Sequence, residues 1–366
     1  MQIYKDKRIV LTLDAGGTNF VFSAMQAGAE IVEPVKLNAH ADNLDKCLTT
    51  LVDGFQTVLR KLPTTPSAIS FAFPGPADYE QGIIDDLPNL PAFRGGIALG
   101  PMLEKKFNLP VFINNDGNLF VYGEAIGGLL PWLNQRLEEA GSPKRYKNLI
   151  GFTLGTGFGG GIVLNGRLLI GDNSRGGEAW LLRNMENLQT NIEESISIRA
   201  IKNRYAVEAG LSETEIPEPK DIFEISEGKS PGNRDAAVKA YKKMGEALGE
   251  AIATVMTLMD AAAVIGGGIS AAHTAFLDHA VRKMNNTYTR PGADPFPRLS
   301  MKVFNFEDPG QVDVFLKGSS REIVIPGTDD KIIYDPMARS GVGISRLGTS
   351  EAVALGAYAF ALNKLG

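Results

Sequence analysis

Two stretches decide the reading of this chain: Leu13-Asp14-Ala15-Gly16-Gly17-Thr18-Asn19 and, some 140 residues later, Leu154-Gly155-Thr156-Gly157-Phe158-Gly159-Gly160-Gly161. Each follows an apolar, β-branched run (Ile9 to Leu13; Leu149 to Leu154) and leads into another (Phe20 to Ala24; Ile162 to Leu164). Strand, tight glycine turn, strand reads as a hairpin. Glycine at the tip lets main-chain N–H groups approach an anion, and Thr18 and Thr156 add hydroxyl donors. One such tip in each half of a duplicated chain suits the clamping of a nucleotide triphosphate between two lobes.

The rival reading is a dinucleotide fold, because Gly155-x-Gly157-x-x-Gly160 matches G-x-G-x-x-G by letter. That fingerprint needs a helix directly after the glycines, whose N-terminus holds the pyrophosphate. Here Gly161-Ile162-Val163-Leu164 reads as a strand and Asn165-Gly166 as a hairpin turn. A Walker A loop is absent, since no G-x-x-x-x-G-K-[ST] occurs.

At 366 residues, 44% hydrophobic and 22% charged, the chain is long enough for two domains with ample core. A net charge of −5 argues against a nucleic-acid or anionic-membrane surface as partner. The single cysteine, Cys47, excludes an intrachain disulfide and a cysteine-based zinc cluster. Neither an apolar signal core near Met1 nor an apolar run of membrane-spanning length is present, which predicts a cytoplasmic location.

Along the chain, apolar residues from Leu44 to Leu59 recur at helical spacing, and Ala68 to Phe73 reads as a buried strand ended by Pro74-Gly75-Pro76. Val111-Phe112-Ile113 is a strand running into Asn114-Asn115-Asp116-Gly117-Asn118, with a helix from about Leu119. This βββ-α-β-α order is the ribonuclease H-like unit, and it restarts at Leu149. In the second half Ala261 to Ile265 reads as a strand ending in Gly266-Gly267-Gly268. Ser270 is placed to cap a helix over 271–284, and Ser350 to cap the last helix from Glu351. The expected fold is therefore α/β, a duplicated ribonuclease H-like (actin-like ATPase) fold with two lobes around a cleft. The expected division is 1–118 plus 351–366 for the smaller lobe and 119–350 for the larger. Two stretches read as additions, 129–147 and about 308–347. In the latter, Arg321 to Ile325 and Lys331 to Tyr334 predict a protruding hairpin with one face packed.

Asn115-Asp116 stands at a strand end, where α/β sheets present ligand groups. A carboxylate there can take a proton from a substrate hydroxyl while the neighbouring amide orients it. The local alternative is an Asx turn joining strand to helix. Asp14, at the end of a buried strand, needs a partner such as Mg²⁺ or ordered water. Glu178 follows a glycine loop and could reach sugar hydroxyls. Glu193 opens a helix and could equally serve its dipole.

Together these segments resemble the ROK family of bacterial sugar kinases and repressors, within the actin-like ATPase superfamily. The resemblance rests on Asp14-x-Gly16-Gly17-Thr18-Asn19, Phe73-Pro74-Gly75-Pro76-x-Asp78 with Asn89-Leu90-Pro91, Asn115-Asp116-x-Asn118, Leu154-Gly155-Thr156-Gly157, and Gly266-Gly267-Gly268-Ile269-Ser270. It implies ATP-dependent phosphorylation of a hexose or hexosamine, with Asp116 as the general base. Gly75, Asn89, Asn115, Asp116, Glu178 and Glu193 would line the sugar. Gly16, Gly17, Thr18, Asn19, Gly155, Thr156, Gly157, Gly267 and Gly268 would hold ATP, and Asp14 would hold Mg²⁺, through water. Phosphoryl transfer needs mainly positioning, charge neutralisation and a base. Family analogy also implies a homodimer.

The chain departs from the family at one place. Members commonly carry a zinc-binding, sugar-touching histidine three residues after the Gly-Glu pair, where this chain has Leu181, and 185–192 lacks the accompanying cysteines. The expectation is therefore no zinc, and poor use of glucose beside a substituted or epimeric hexose. The alternative is a catalytically impaired sugar-binding or regulatory protein. The helix-turn-helix of repressor members is not expected, because the first strand starts by Ile9.

Overall fold

The apolar runs flanking each glycine turn form strands because alternate residues bury on both faces of a sheet. The computed structural model describes every residue except Met1, Gln2, Gly17, Pro88 and Asn89. In chain order the first part comprises β1 (Val10–Ala15), β2 (Asn19–Gln26), β3 (Ala29–Glu30), β4 (Val35–Asn38), α1 (Leu44–Leu59), β5 (Ala68–Ala72), β6 (Ala77–Asp78), β7 (Ile83–Ile84), α2 (Leu99–Phe107), β8 (Val111–Asn114) and α3 (Asp116–Gly127). Then come α4 (Leu129–Glu139), β9 (Leu149–Leu154), β10 (Phe158–Leu164), β11 (Arg167–Leu168), α5 (Glu193–Ile196), α6 (Ile198–Ala209), α7 (Pro219–Ser226) and α8 (Arg234–Met259). The chain finishes with β12 (Ala262–Gly266), α9 (His273–Met284), β13 (Thr287–Arg290), β14 (Ala293–Pro297), β15 (Lys302–Asn305), α10 (Pro309–Lys317), β16 (Arg321–Val324), β17 (Lys331–Tyr334), β18 (Arg339–Ile344) and α11 (Thr349–Leu365).

Two compact units emerge. The first holds Met1–Gly128, Arg167–Gly177 and Leu347–Gly366; the second holds Leu129–Gly166 and Glu178–Arg346. This division keeps α3 with the first unit, where the sequence suggested a boundary after Asn118. In the first unit the sheet runs β3-β2-β1-β5-β8, with β4 also on β2. The β1–β2 hairpin is antiparallel, and β5 and β8 add in parallel. The second unit repeats the plan: β9–β10 is antiparallel, then β12, β18 and β15 add in parallel. Because Phe158–Leu164 is a strand and not a helix, the dinucleotide reading falls away.

A continuous row of edge-to-face and tilted aromatic rings, Phe20, Phe22, Phe55, Phe71, Phe73 and Phe93, joins α1, the sheet and the loops after β5 and β7 in the first core. Its other face is closed by α11, which returns from the chain's end onto α3. The two helices touch backbone to backbone. A Cβ on Gly356 would lie 1.9 Å from the Leu119 carbonyl oxygen, and one on Gly123 would lie 1.9 Å from that of Ala352. The fully buried carboxylate of Glu124 accepts a hydrogen bond from the Leu347 amide at the start of α11.

Several expectations need correction. Ser270 lies inside a short 3-10 turn, and its hydroxyl donates to the Gly267 carbonyl, so α9 starts only at His273. Gly348 and not Ser350 precedes the first turn of α11. The stretch 308–347 is not all insertion, because β18 lies between β12 and β15. The hairpin within it does form, Arg321 opposite Tyr334. Its residues are exposed apart from half-buried Ile323, so the face expected to pack does not do so within this chain. Asp335 ties its feet, accepting from the Ser319 amide and pairing at 2.6 Å with buried Arg339. Among the described residues no helix is long and apolar enough to cross a membrane.

The close contact of α3 and α11 is testable. Gly356→Ala forces the helices apart and should cost about 1–3 kcal/mol of unfolding free energy in a urea titration. An unchanged urea midpoint would show that the helices have slack the geometry denies.

Candidate active site

Adjacent parallel strands end together, and in the first unit the carboxyl ends of β1, β5 and β8 carry Asp14, the Phe73–Gly75 turn and Asn115–Asp116. The Phe73 amide donates to the Asn114 carbonyl at 2.9 Å, which sets the Gly75 turn beside the catalytic candidate. Gly75 precedes a cis peptide to Pro76, and a Cβ on it would meet the Tyr79 hydroxyl at 2.9 Å. Gly75, Asn115 and Asp116 are thus brought together. Asn89 and Gly17 lie outside the described residues.

Asn115 is the N-cap of α3: its side-chain oxygen accepts from the Gly117 amide at 2.8 Å. That is the local Asx role the sequence offered as the alternative. Asp116 is exposed at the first position of the helix, where its charge is stabilised by the helix dipole, and its Oδ1 also accepts from Gly117 N–H at 2.9 Å. Beneath them lies a buried amide pair, Asn114 and Asn118, of which the sequence reading singled out only Asn118. Asn114, fully buried, accepts from both the Asn115 backbone and the Asn118 side chain. For Asn114 the Asn-rich run was the only sequence signal, and there it competed with the surface-turn explanation.

In the first glycine turn a Cβ on Gly16 would lie 2.9 Å from the Asn19 carbonyl oxygen, so the loop doubles back too tightly for a side chain. Thr18 is exposed at its tip and Asn19 half-buried. Asp14 is accessible to solvent on one side, yet the protein atoms around it strip enough water to raise its pKa above the ordinary carboxylate value.

In the second unit the ends of β9 and β12 carry Gly155–Gly157 and Gly266–Gly268. Gly267 has φ +86°, and a Cβ there would fall 2.2 Å from the Leu154 carbonyl oxygen, so the two loops seat directly against each other. Gly155 and Gly268 differ: neither has a left-handed φ, and a Cβ on either would meet nothing within 4 Å. Thr156 is exposed beside them. Glu193 does local work for the same loop. Its Oε2 accepts from the Phe158 amide at 2.9 Å, and a Cβ on Gly157 would press on it. Its Oε1 stands 3.7 Å from Arg199. Half-buried Glu178 accepts a hydrogen bond from the Trp180 indole, and Leu181 next to it is 59% exposed.

Glu193→Ala therefore leaves the Phe158 N–H without its partner, whereas Glu193→Gln keeps an acceptor. Amide exchange at Phe158 should accelerate in the alanine variant and stay near wild type in the glutamine variant; equal exchange in both would detach Glu193 from the loop.

Comparison with known proteins agrees with this geometry. The ROK family model matches residues 10–302. A solved glucokinase from Parabacteroides distasonis is 53% identical, covers 99% of both chains and superposes with a TM-score of 0.90. The glucokinase of Thermotoga maritima is 26% identical over 72% of this chain and 83% of its own. The N-acetyl-D-glucosamine kinase of Vibrio cholerae is 27% identical over 70% of this chain and 83% of its own. The duplicated actin-like ATPase fold expected from the two glycine hairpins is the fold of these neighbours. With a family model matched across most of its length and the paired hairpins in place, the chain belongs to the ROK family.

Proposed function

We propose that this protein is an ATP-dependent sugar kinase that transfers the γ-phosphoryl group to a hydroxyl of a hexose or hexosamine. The observation that carries the reading is Asp116: an exposed carboxylate at a helix N-terminus, at the strand end, fixed by Gly117 N–H and underpinned by a buried amide pair. The sugar hydroxyl oxygen attacks the γ-phosphorus, the bond to the β-phosphate oxygen breaks, ADP leaves, and the hydroxyl proton passes to Asp116. Asn115, Gly75, Asn89, Glu178 and Glu193 are the groups assigned to the sugar, Glu193 also holding the second glycine loop.

The phosphates are assigned to Gly16, Gly17, Thr18, Asn19, Gly155, Thr156 and Gly157, and the adenosine to Gly267 and Gly268. Support comes from Gly155 and Gly268, whose lack of a side chain answers no need of the protein's own packing. Bare backbone with open space above it is what an approaching ligand requires. The names of the relatives, two glucokinases and an N-acetylglucosamine kinase, support the sugar class.

Mg²⁺ is assigned to Asp14. Among the described residues no group of three or more His, Cys, Asp or Glu assembles, so the ion would keep water and lean on phosphate oxygens, as Mg²⁺ commonly does. It would supply charge neutralisation. A partly desolvated carboxylate fits this role, because a cation restores the charged form that burial disfavours.

A coupled ADP-release assay over hexoses, hexosamines and N-acyl sugars tests the reading, and saturable turnover on one of them is expected. Leu181 presents only apolar contact, so a substituted hexose should outperform glucose. Asp116→Asn should keep sugar binding by calorimetry while turnover falls by about 10²–10⁴-fold. Sugar binding without ADP release in the wild type would favour the regulatory alternative.

Asp14 makes a second prediction through linkage. A carboxyl whose pKa is raised on folding is harder to ionise in the native state, so its cost accrues as pH rises above the ordinary value of 3.8 and is full once pH exceeds the folded value. Asp14→Asn should therefore raise the melting temperature of the ligand-free protein at pH 7, with the gain vanishing towards pH 3. It should also abolish the further stabilisation by Mg²⁺ and ATP. A lower melting temperature at pH 7 would show that Asp14 is satisfied by the protein itself.

A further inference from the structure

The loop between Glu178 and Glu193 contains a polar centre that the reaction does not use directly. Asn184 is 2% exposed, and both its amide nitrogen and its amide oxygen are hydrogen-bonded. Nδ2 donates to the Thr190 hydroxyl at 3.0 Å and to the Ser195 hydroxyl at 2.9 Å, while Oδ1 accepts from the Glu186 amide at 3.0 Å. Each hydroxyl passes the chain on. Thr190 donates to the Asn187 carbonyl, and Ser195 donates at 3.1 Å to Glu186, whose carboxylate is paired with Arg204. Donors and acceptors alternate throughout, the condition under which a buried polar network rigidifies its surroundings.

This centre closes a loop. Arg183 bridges Asn191 antiparallel, and the Ile192 amide donates to the Leu182 carbonyl at 2.8 Å. On one side of the closure the turn Glu178–Leu182 is wound by the Leu181 and Leu182 amides and packs on β10. On the other side α5 begins with Glu193, which grips Phe158 at the start of β10. Two carboxylates fifteen residues apart in sequence thus end up at the two mouths of one stapled loop, with the buried amide of Asn184 at its centre.

We propose that Asn184 is a positioning residue for the phosphoryl acceptor: its amide sets the loop closure and, through Leu182–Ile192, the placement of Glu178. The inference rests on the sugar-kinase reading. Loss of the amide leaves the loop free to widen, so Glu178 is no longer presented at one place, while Asp116 and the first glycine turn are untouched because they belong to the other unit.

The test is a double-mutant cycle in the full chain. Asn184→Ala should raise the KM for the sugar by about ten- to a hundredfold, with kcat and the KM for ATP nearly unchanged. If Asn184 acts through Glu178, the double variant with Glu178→Ala should show no more loss than Glu178→Ala alone. A sugar KM in the double variant equal to the product of the two separate changes would overturn the proposal, as would a fall in kcat with unchanged KM. Should Asn184→Ala fail to fold, Thr190→Val and Ser195→Ala, each removing one acceptor of the amide, enter the same cycle. If the wild type phosphorylates no sugar, the functional reading fails by itself. Hydrogen exchange then decides the positioning claim. Faster exchange in Asn184→Ala over 178–182 as well as 184–191 supports it, and change confined to 184–191 overturns it.

Discussion

The contact on which the first unit depends is between bare backbone and backbone, where Gly123 and Gly356 let α3 and α11 approach until no Cβ fits between them. Asp116 stands at the other end of α3, the helix that α11 holds by this contact. Glu124 adds a directional lock, its buried carboxylate receiving the amide that leads into α11. A carboxylate at a helix N-terminus is among the few ways to bury such a charge at tolerable cost. Helix α11 buries small and large side chains alike, Ala352, Ala357, Ala359 and Ala361 beside Leu355, Tyr358, Phe360 and Leu362, so the close approach is confined to its glycine.

Both units solve the same problem with the same device. A parallel sheet ends its strands on one side, and the residues placed there have backbone groups not consumed by the ladder. The first unit spends this on a carboxylate at β1, a proline-flanked turn at β5 and an Asn-Asp pair at β8. The second uses glycines at β9 and β12, with Thr156 between two of them. Glycine there has two different reasons. Gly267 is demanded by the neighbouring Leu154 backbone, whereas a Cβ on Gly155 would meet nothing within 4 Å among the described residues.

In each unit, carboxylates at or near the strand ends are kept busy by the protein itself. Glu193 holds an amide, Glu178 holds an indole, and Asp116 holds the first turn of its own helix. These bonds reduce rotamer freedom before any substrate arrives, which is how a site is held in productive geometry.

The sequence by itself determined the architecture, because hydrophobic period and glycine turns are local signals. The two hairpins, the strand running into Asn115-Asp116 and the protruding hairpin at 321–334 all followed from patterns a few residues long. Caps misled at Ser270 and Ser350, where backbone turns took precedence over side-chain propensity. Tertiary structure alone decided that β18 belongs to the central sheet, since its pairing with β12 joins residues nearly eighty positions apart. It alone gave Glu193 its amide from Phe158 and made Asn184 the centre of a network. An asparagine in a polar loop looks the same in sequence whether water or protein satisfies it, and the difference is burial, which only the folded chain supplies.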